Sequence, residues 1–153
     1  MKKVLIAYFS TSGATEKMAE YIAEGVRFDG IPAMVKKMDE IKDADEMKWY
    51  DGYIFGSPTF SMDIPESVKM YLSMLKNVNL AGILGGAFGS YTHDVSYRHD
   101  THAPALIFNI MQIEMKMKPF DLGPLILKEN LIEIREGMQA CHDYGRIFGA
   151  EIG

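Results

Sequence analysis

Short unbroken apolar runs alternate along the chain with longer stretches in which apolar residues return every three or four positions. Residues 4–9 are apolar throughout, as in a strand covered on both faces. Residues 14–27 follow with Ala14, Met18, Ile22 and Val26 on one helical face and Glu16, Lys17, Glu20 and Glu24 mostly toward water. Asp29-Gly30 ends that stretch, and residues 31–35 predict a short second strand. Residues 36–49 are polar and predict a connection with one or two helical turns; residues 50–56 predict a third strand. A helix is expected from about Ile64, with Asp63 as N-cap, Pro65 and Glu66 in its first turn, and Val68, Tyr71, Leu72 and Leu75 as its inner stripe. The glycine-rich residues 80–88 predict a fourth strand, residues 90–102 carry no periodicity, and residues 104–113 predict a short helix. Pro119 and Pro124 fall inside the last strand region, 117–127, which must therefore lie at a sheet edge or be interrupted. Asn130-x-x-Glu133 reads as a capping box for a final helix with the stripe Leu131, Ile134, Met138, Cys141, Gly145 and Phe148.

Strands alternating with amphipathic helices are the pattern of an α/β protein built on a parallel sheet. At 153 residues, with no repeat or linker, the chain is expected to form one domain, 1–153. A hydrophobic share of 48% and one cysteine exclude both disorder and a disulfide scaffold. The net charge of −5 gives no general attraction to phosphate backbones, so nucleic acid is not an expected partner. No apolar run approaches the roughly 20 residues of a membrane span, and the short apolar start does not read as an export signal. The expected compartment is a reducing cytoplasm. Cys141 and the helical methionines Met18, Met70, Met74 and Met138 are expected in the core, and Trp49 at the start of the third strand.

Open parallel sheets bind ligands beyond the carboxyl ends of their strands. Three polar segments should gather there. Ser10-Thr11-Ser12-Gly13-Ala14-Thr15 places hydroxyls and a turn glycine where a helix begins, and unpaired N–H groups at a helix N-terminus suit a phosphate. It lacks the Gly-Lys-Ser/Thr of a triphosphate loop and the three glycines of a pyrophosphate loop. Its plain alternative is a serine-rich cap with no ligand. Gly56-Ser57-Pro58-Thr59-Phe60-Ser61 and Phe88-Gly89-Ser90-Tyr91-Thr92-His93 each set an aromatic residue among polar ones in an expected loop. Together they suit a flat heterocycle carrying one phosphate.

These motifs resemble the flavodoxin family, from residue 2 to about residue 150. The first looks like its phosphate loop, [ST]-x-[ST]-G-x-T; residues 55–60 and 87–91 look like its two flavin loops. The resemblance implies a flavodoxin-like three-layer sandwich of the short-chain type, with a five-stranded parallel sheet in the order 2-1-3-4-5. It implies FMN as cofactor. Ser10, Thr11, Ser12, Gly13, Ala14 and Thr15 would hold the phosphate. Ser57, Pro58, Thr59, Phe60 and Ser61 would line one face of the ring system, and Phe88, Gly89, Ser90, Tyr91 and His93 the other. In place of the glycine many members carry after the first stacking residue, this chain has Ser61-Met62.

The function so implied is electron transfer between redox partner proteins that dock transiently, with no residue of the chain acting as a catalytic acid or base. Residues 90–102 leave a rival reading open: an NAD(P)H-dependent reductase of a quinone, metal or flavin, with Arg98 meeting a nucleotide phosphate. A ligand-binding module of the same fold is a third. His93, Asp94, His99, Asp100 and His102 match no metal-ligand spacing, and no metal is expected.

Overall fold

β1 (Val4–Tyr8) pairs in parallel with β2 (Ala33–Lys37) on one side and β3 (Gly52–Gly56) on the other, so its apolar run is buried on both faces. The computed structural model describes residues 1–60, 63–92 and 102–153. β3 pairs with β4 (Leu84–Tyr91), which pairs with β5 (Lys118–Pro119) near its start and β6 (Leu125–Lys128) near its end. The order is β2-β1-β3-β4-β5, with every ladder between these strands parallel. The expected sheet is present, and its fifth strand is interrupted between the two prolines.

Alternation along β1 divides the core. Val4, Ile6 and Tyr8 pack with α1 (Ala14–Arg27) and α4 (Arg135–Ile152), whereas Leu5 and Ala7 pack with α2 (Glu66–Leu75) and α3 (Ala103–Ile113). Three layers result. The stripes Ala14, Met18, Ile22, Val26 and Val68, Tyr71, Leu72, Leu75 are buried as expected. α1 and α4 meet backbone to backbone: a Cβ on Gly25 would lie 2.0 Å from the His142 carbonyl oxygen, and one on Gly145 would lie 1.9 Å from that of Ile22.

Several boundaries differ from the sequence expectation. β2 lies two residues later, because it is an edge strand whose Lys36 and Lys37 remain partly in water. β4 starts at Leu84, since Leu80 accepts the Ile83 N–H in a turn with Gly82 at φ 79°. It runs on to Tyr91, because β6 pairs with Phe88, Gly89, Ser90 and Tyr91. Asp63 is not the cap of α2: Pro65 disfavours helix at Ile64, and Pro65 itself stands at the N-cap. Asn130 and Glu133 do not form a capping box; a 3₁₀ turn (Glu129–Leu131) intervenes, Ile134 is the N-cap, and Glu133 pairs with Lys17 at 3.2 Å. Leu131, Ile134 and Met138 are consequently exposed, while Cys141, Gly145 and Phe148 are buried. Trp49 does not anchor the third strand: it is 83% exposed at φ 75°, and Tyr50 is buried beside it instead. Met18 is in the core, Met74 partly so, but Met70 and Met138 face water. Among the described residues no helix is long and apolar enough to cross a membrane.

Two predictions follow from this packing. Gly145→Ala should destabilise the fold by about 1–3 kcal/mol in urea titration through overpacking against Ile22, although alanine is intrinsically the better helix former. Burial pushes the Cys141 thiol from its ordinary 9.0 up to about 12. The unfolded chain therefore loses this proton first, and the group's contribution to stability declines as pH rises from 9 toward 12. A thiol reagent at pH 8 should leave the native chain unmodified and label one cysteine per chain in denaturant.

Candidate functional site

The loop after β1 is held open by its own side chains. Ser10 Oγ accepts the Gly13 N–H at 3.1 Å, and Gly13, at φ 91°, turns the chain into α1 from the N-cap position. A left-handed backbone suits glycine, and nothing lies within 4 Å of where a Cβ on Gly13 would stand. The helical ladder begins with the Lys17 N–H on the Gly13 carbonyl (3.1 Å), so the earlier N–H groups leave the helix end unladdered. Thr11 and Ser12 are exposed and Ser10 is half-buried. Clefts of about 340 and 510 Å³ flank this loop, the first reaching Tyr8, Lys37 and Asp39, the second Lys17, Thr92 and Asn130.

Thr15 is the exception among these hydroxyls. It is buried, and its Oγ1 lies 3.1 Å from the Ser90 Oγ, tying the first turn of α1 to the end of β4. Glu16, expected toward water, instead accepts a hydrogen bond from the Tyr8 hydroxyl at 3.2 Å. Burial, reinforced by the Glu16 charge, pushes the Tyr8 hydroxyl up to about 12.

The segment after β3 is laid on β4 by main-chain bonds. The Ser57 N–H donates to the Phe88 carbonyl (3.1 Å) and the Thr59 N–H to the Ser90 carbonyl (3.0 Å). Ser57 is fully buried, its hydroxyl donating to the Pro58 carbonyl at 2.8 Å. Phe60 and Asp63 exchange both backbone bonds (3.1 and 2.8 Å), and Phe60 is 42% exposed, edge-on to Phe9 at 6.4 Å. The Asp63 carboxylate accepts the Ile64 N–H and the Lys69 ammonium, and both hold its pKa below the usual value.

At the end of β4, Phe88 lies in the core with its ring against Gly56, while Tyr91 is half-exposed. The Tyr91 ring sits 4.5 Å from that of buried His102, at the N-cap of α3. The structure thus brings the Ser10–Thr15 loop, Thr59, Phe60, Ser90 and Tyr91 to one end of the sheet. Phe88 stands apart in the core. Ser61, Met62, His93, Asp94, Arg98, His99 and Asp100 lie outside the described residues. The sequence reads His102 as a weak metal candidate within a solvated loop or docking surface, whereas it is buried against Tyr91; its place just before the expected helix at Pro104 is the available signal. Among the described residues no three His, Cys, Asp or Glu side chains are grouped to hold a metal.

The family model for flavodoxin matches residues 6–123. A flavodoxin of Clostridium saccharobutylicum is 35% identical over 89 residues, 58% of this chain and 55% of that protein, so the match spans little more than half of the relative. An NAD(P)H dehydrogenase (quinone) of Acidovorax ebreus is 27% identical over 137 residues, 75% of this chain and 68% of that one. Among solved structures, a flavodoxin from the domain Archaea superposes with a TM-score of 0.84 at 30% identity, covering 98% of both chains. With its sheet order, its Ser-rich turn into α1 and these likenesses, the chain belongs to the flavodoxin family.

Proposed function

We propose that this chain binds FMN at the carboxyl end of its sheet and carries electrons between redox partner proteins. The observation that carries the reading is the open turn at Gly13, lined by hydroxyls and unladdered N–H groups, beside two loops that leave Phe60 exposed and Tyr91 half-exposed. The fit to a phosphate rests on that turn: space stands where a Cβ would be, and the first-turn N–H groups lie outside the helical ladder, those of Gly13 and Ala14 on the Ser10 and Ser12 hydroxyls at 3.1 and 3.5 Å. Ser10, Thr11, Ser12, Gly13 and Ala14 would hold the phosphate through hydroxyls and backbone N–H groups. Thr15 would support the turn from behind through Ser90. Phe60 and Tyr91 would line the ring system, and Ser57, Pro58, Thr59 and Gly89 would set their spacing. The roles assigned by resemblance to Ser61 and His93 belong to the same proposal.

FMN, when bound, supplies reversible one- and two-electron chemistry. The chain's own residues bind it, orient its ring and keep water from its faces. Exposed aromatic rings beside the site would also meet a partner's apolar surface during transient docking. One domain over residues 1–153, working in a reducing cytoplasm, accords with a single sheet covered on both faces and a single buried thiol.

The likeness to the Acidovorax dehydrogenase favours a second reading, NAD(P)H-dependent reduction of a quinone, metal or flavin. Anaerobic mixing of the FMN-loaded protein with NADPH separates the two: the carrier should keep its yellow colour for minutes, and the reductase would bleach within seconds.

Titration with FMN should show one equivalent bound, with flavin fluorescence quenched and inorganic phosphate competing. A protein that takes up no FMN overturns the proposal. Gly13→Ala should weaken FMN by about tenfold, because a left-handed alanine costs about 1–2 kcal/mol. Gly30→Ala places the same strain (φ 93°) at the far end of α1 and should leave the affinity unchanged.

A further inference from the structure

The start of α3 touches both aromatic segments of the site at once. The Thr59 hydroxyl oxygen accepts the Ala103 N–H at 3.0 Å, while the Thr59 N–H donates to the Ser90 carbonyl at 3.0 Å. Thr59 immediately precedes Phe60, and Ser90 immediately precedes Tyr91, so a single main-chain bond ties together the residues before both rings. One residue before Ala103 stands His102, 2% exposed, whose ring packs on Tyr91 at 4.5 Å between centroids and 59° between planes. His102 occupies the N-cap of α3 without capping it by its side chain. The cap is supplied from outside the helix, by Thr59. Pro104 lies in the same turn and reaches within 2.7 Å of where a Cβ on Gly89 would stand.

We propose that Thr59 and His102 form a clamp on the first turn of α3 that fixes the spacing and tilt of the aromatic slot between Phe60 and Tyr91. The inference rests on the FMN reading. His102 is a positioning residue acting through the Tyr91 ring; Thr59 acts through the backbone that carries Phe60. A half-exposed tyrosine at a strand end would otherwise change rotamer freely on the picosecond-to-nanosecond scale. Packed against a buried imidazole, it is ordered before any ligand arrives, and the ordering is not subtracted from affinity. The Thr59 bonds do the same for the turn before Phe60, because the α3 start and the β4 end hold one residue from two sides. Both aromatic walls therefore refer to one rigid element.

The test uses the full chain and four variants: H102A, H102F, T59V and T59V/H102A. FMN affinity is read by fluorescence quenching, ring orientation by the visible circular dichroism of bound FMN, and the phosphate loop by the binding of inorganic phosphate alone. H102A should weaken FMN by about tenfold, the effect of freeing a side chain that must then be ordered, and should diminish the visible dichroic band. H102F, which retains a flat ring, should recover most of both. Inorganic phosphate should bind all variants alike, since Ser10–Thr15 is untouched. T59V should also weaken FMN, and the double variant should lose less than the product of the two single effects. Unchanged FMN affinity and dichroism in H102A overturns the clamp. So does an equal loss for inorganic phosphate, which would mean general damage. Should H102A fail to fold, unchanged affinity in T59V overturns it in the same way. A wild-type chain that takes no FMN sinks the FMN reading and this inference together; normal uptake with insensitive variants sinks only the inference.

Discussion

The chain leaving β3 runs on alongside β4 with no side chain between its backbone and Gly89. A Cβ on Gly89 would lie 1.8 Å from the Ser57 carbonyl oxygen, so only glycine permits the approach. Because the two backbones are that close, the Ser57 and Thr59 N–H groups reach the Phe88 and Ser90 carbonyls, and the aromatic residues that follow are set on adjoining ledges. Ser57 is completely buried there, and Pro104 packs against the same glycine. A larger residue at 89 would lift the β3 segment off the sheet and separate Thr59 from both Ser90 and Ala103.

The electrostatics of the neighbouring turn combine helix-end dipoles with the charges that line the flanking clefts. Lys17, the nearest cation in sequence, is drawn to Glu133 at 3.2 Å, and Glu16 is occupied by the Tyr8 hydroxyl. Lys37 and Asp39 in one flanking cleft and Lys128 and Glu129 in the other stand beside the hydroxyls and N–H groups around Gly13, which the partial positive end of a 14-residue helix reinforces. In the proposed mode this favours a compact dianion, since oriented N–H groups act at hydrogen-bond range and weaken quickly beyond it.

Much of this arrangement was legible in the chain. The apolar run of β1 and the stripes of α1 and α2 are strong local signals, and the structure keeps them. The two prolines correctly announced a broken fifth strand. What failed depended on partners distant in sequence. β4 extends to Tyr91 because β6, some 37 residues later, pairs with it, and no local pattern around Ser90 reveals that. Glu133 looked like a cap for the last helix, but Lys17 across the molecule claims it. Trp49 looked like an anchor by its bulk, yet Tyr50 alone turns inward, packing edge-on to Tyr53 with the Lys3 ammonium over its ring. At the site, the residue types were readable; the contact of His102 with Tyr91 and of Thr59 with Ala103 arises from the return of α3, which a linear reading does not see.

The interrupted fifth strand bears on how the molecule behaves among its own copies. Among the described residues, that border of the sheet consists of two residues in β5 and four in β6, against the five or six typical of a strand. Between them the Gly123 carbonyl is taken by the buried Tyr144 hydroxyl at 2.6 Å, and Pro119 and Pro124 offer no N–H at all. A foreign strand therefore finds no continuous template for lateral growth, and the open border is guarded against fibril-like association by its own discontinuity.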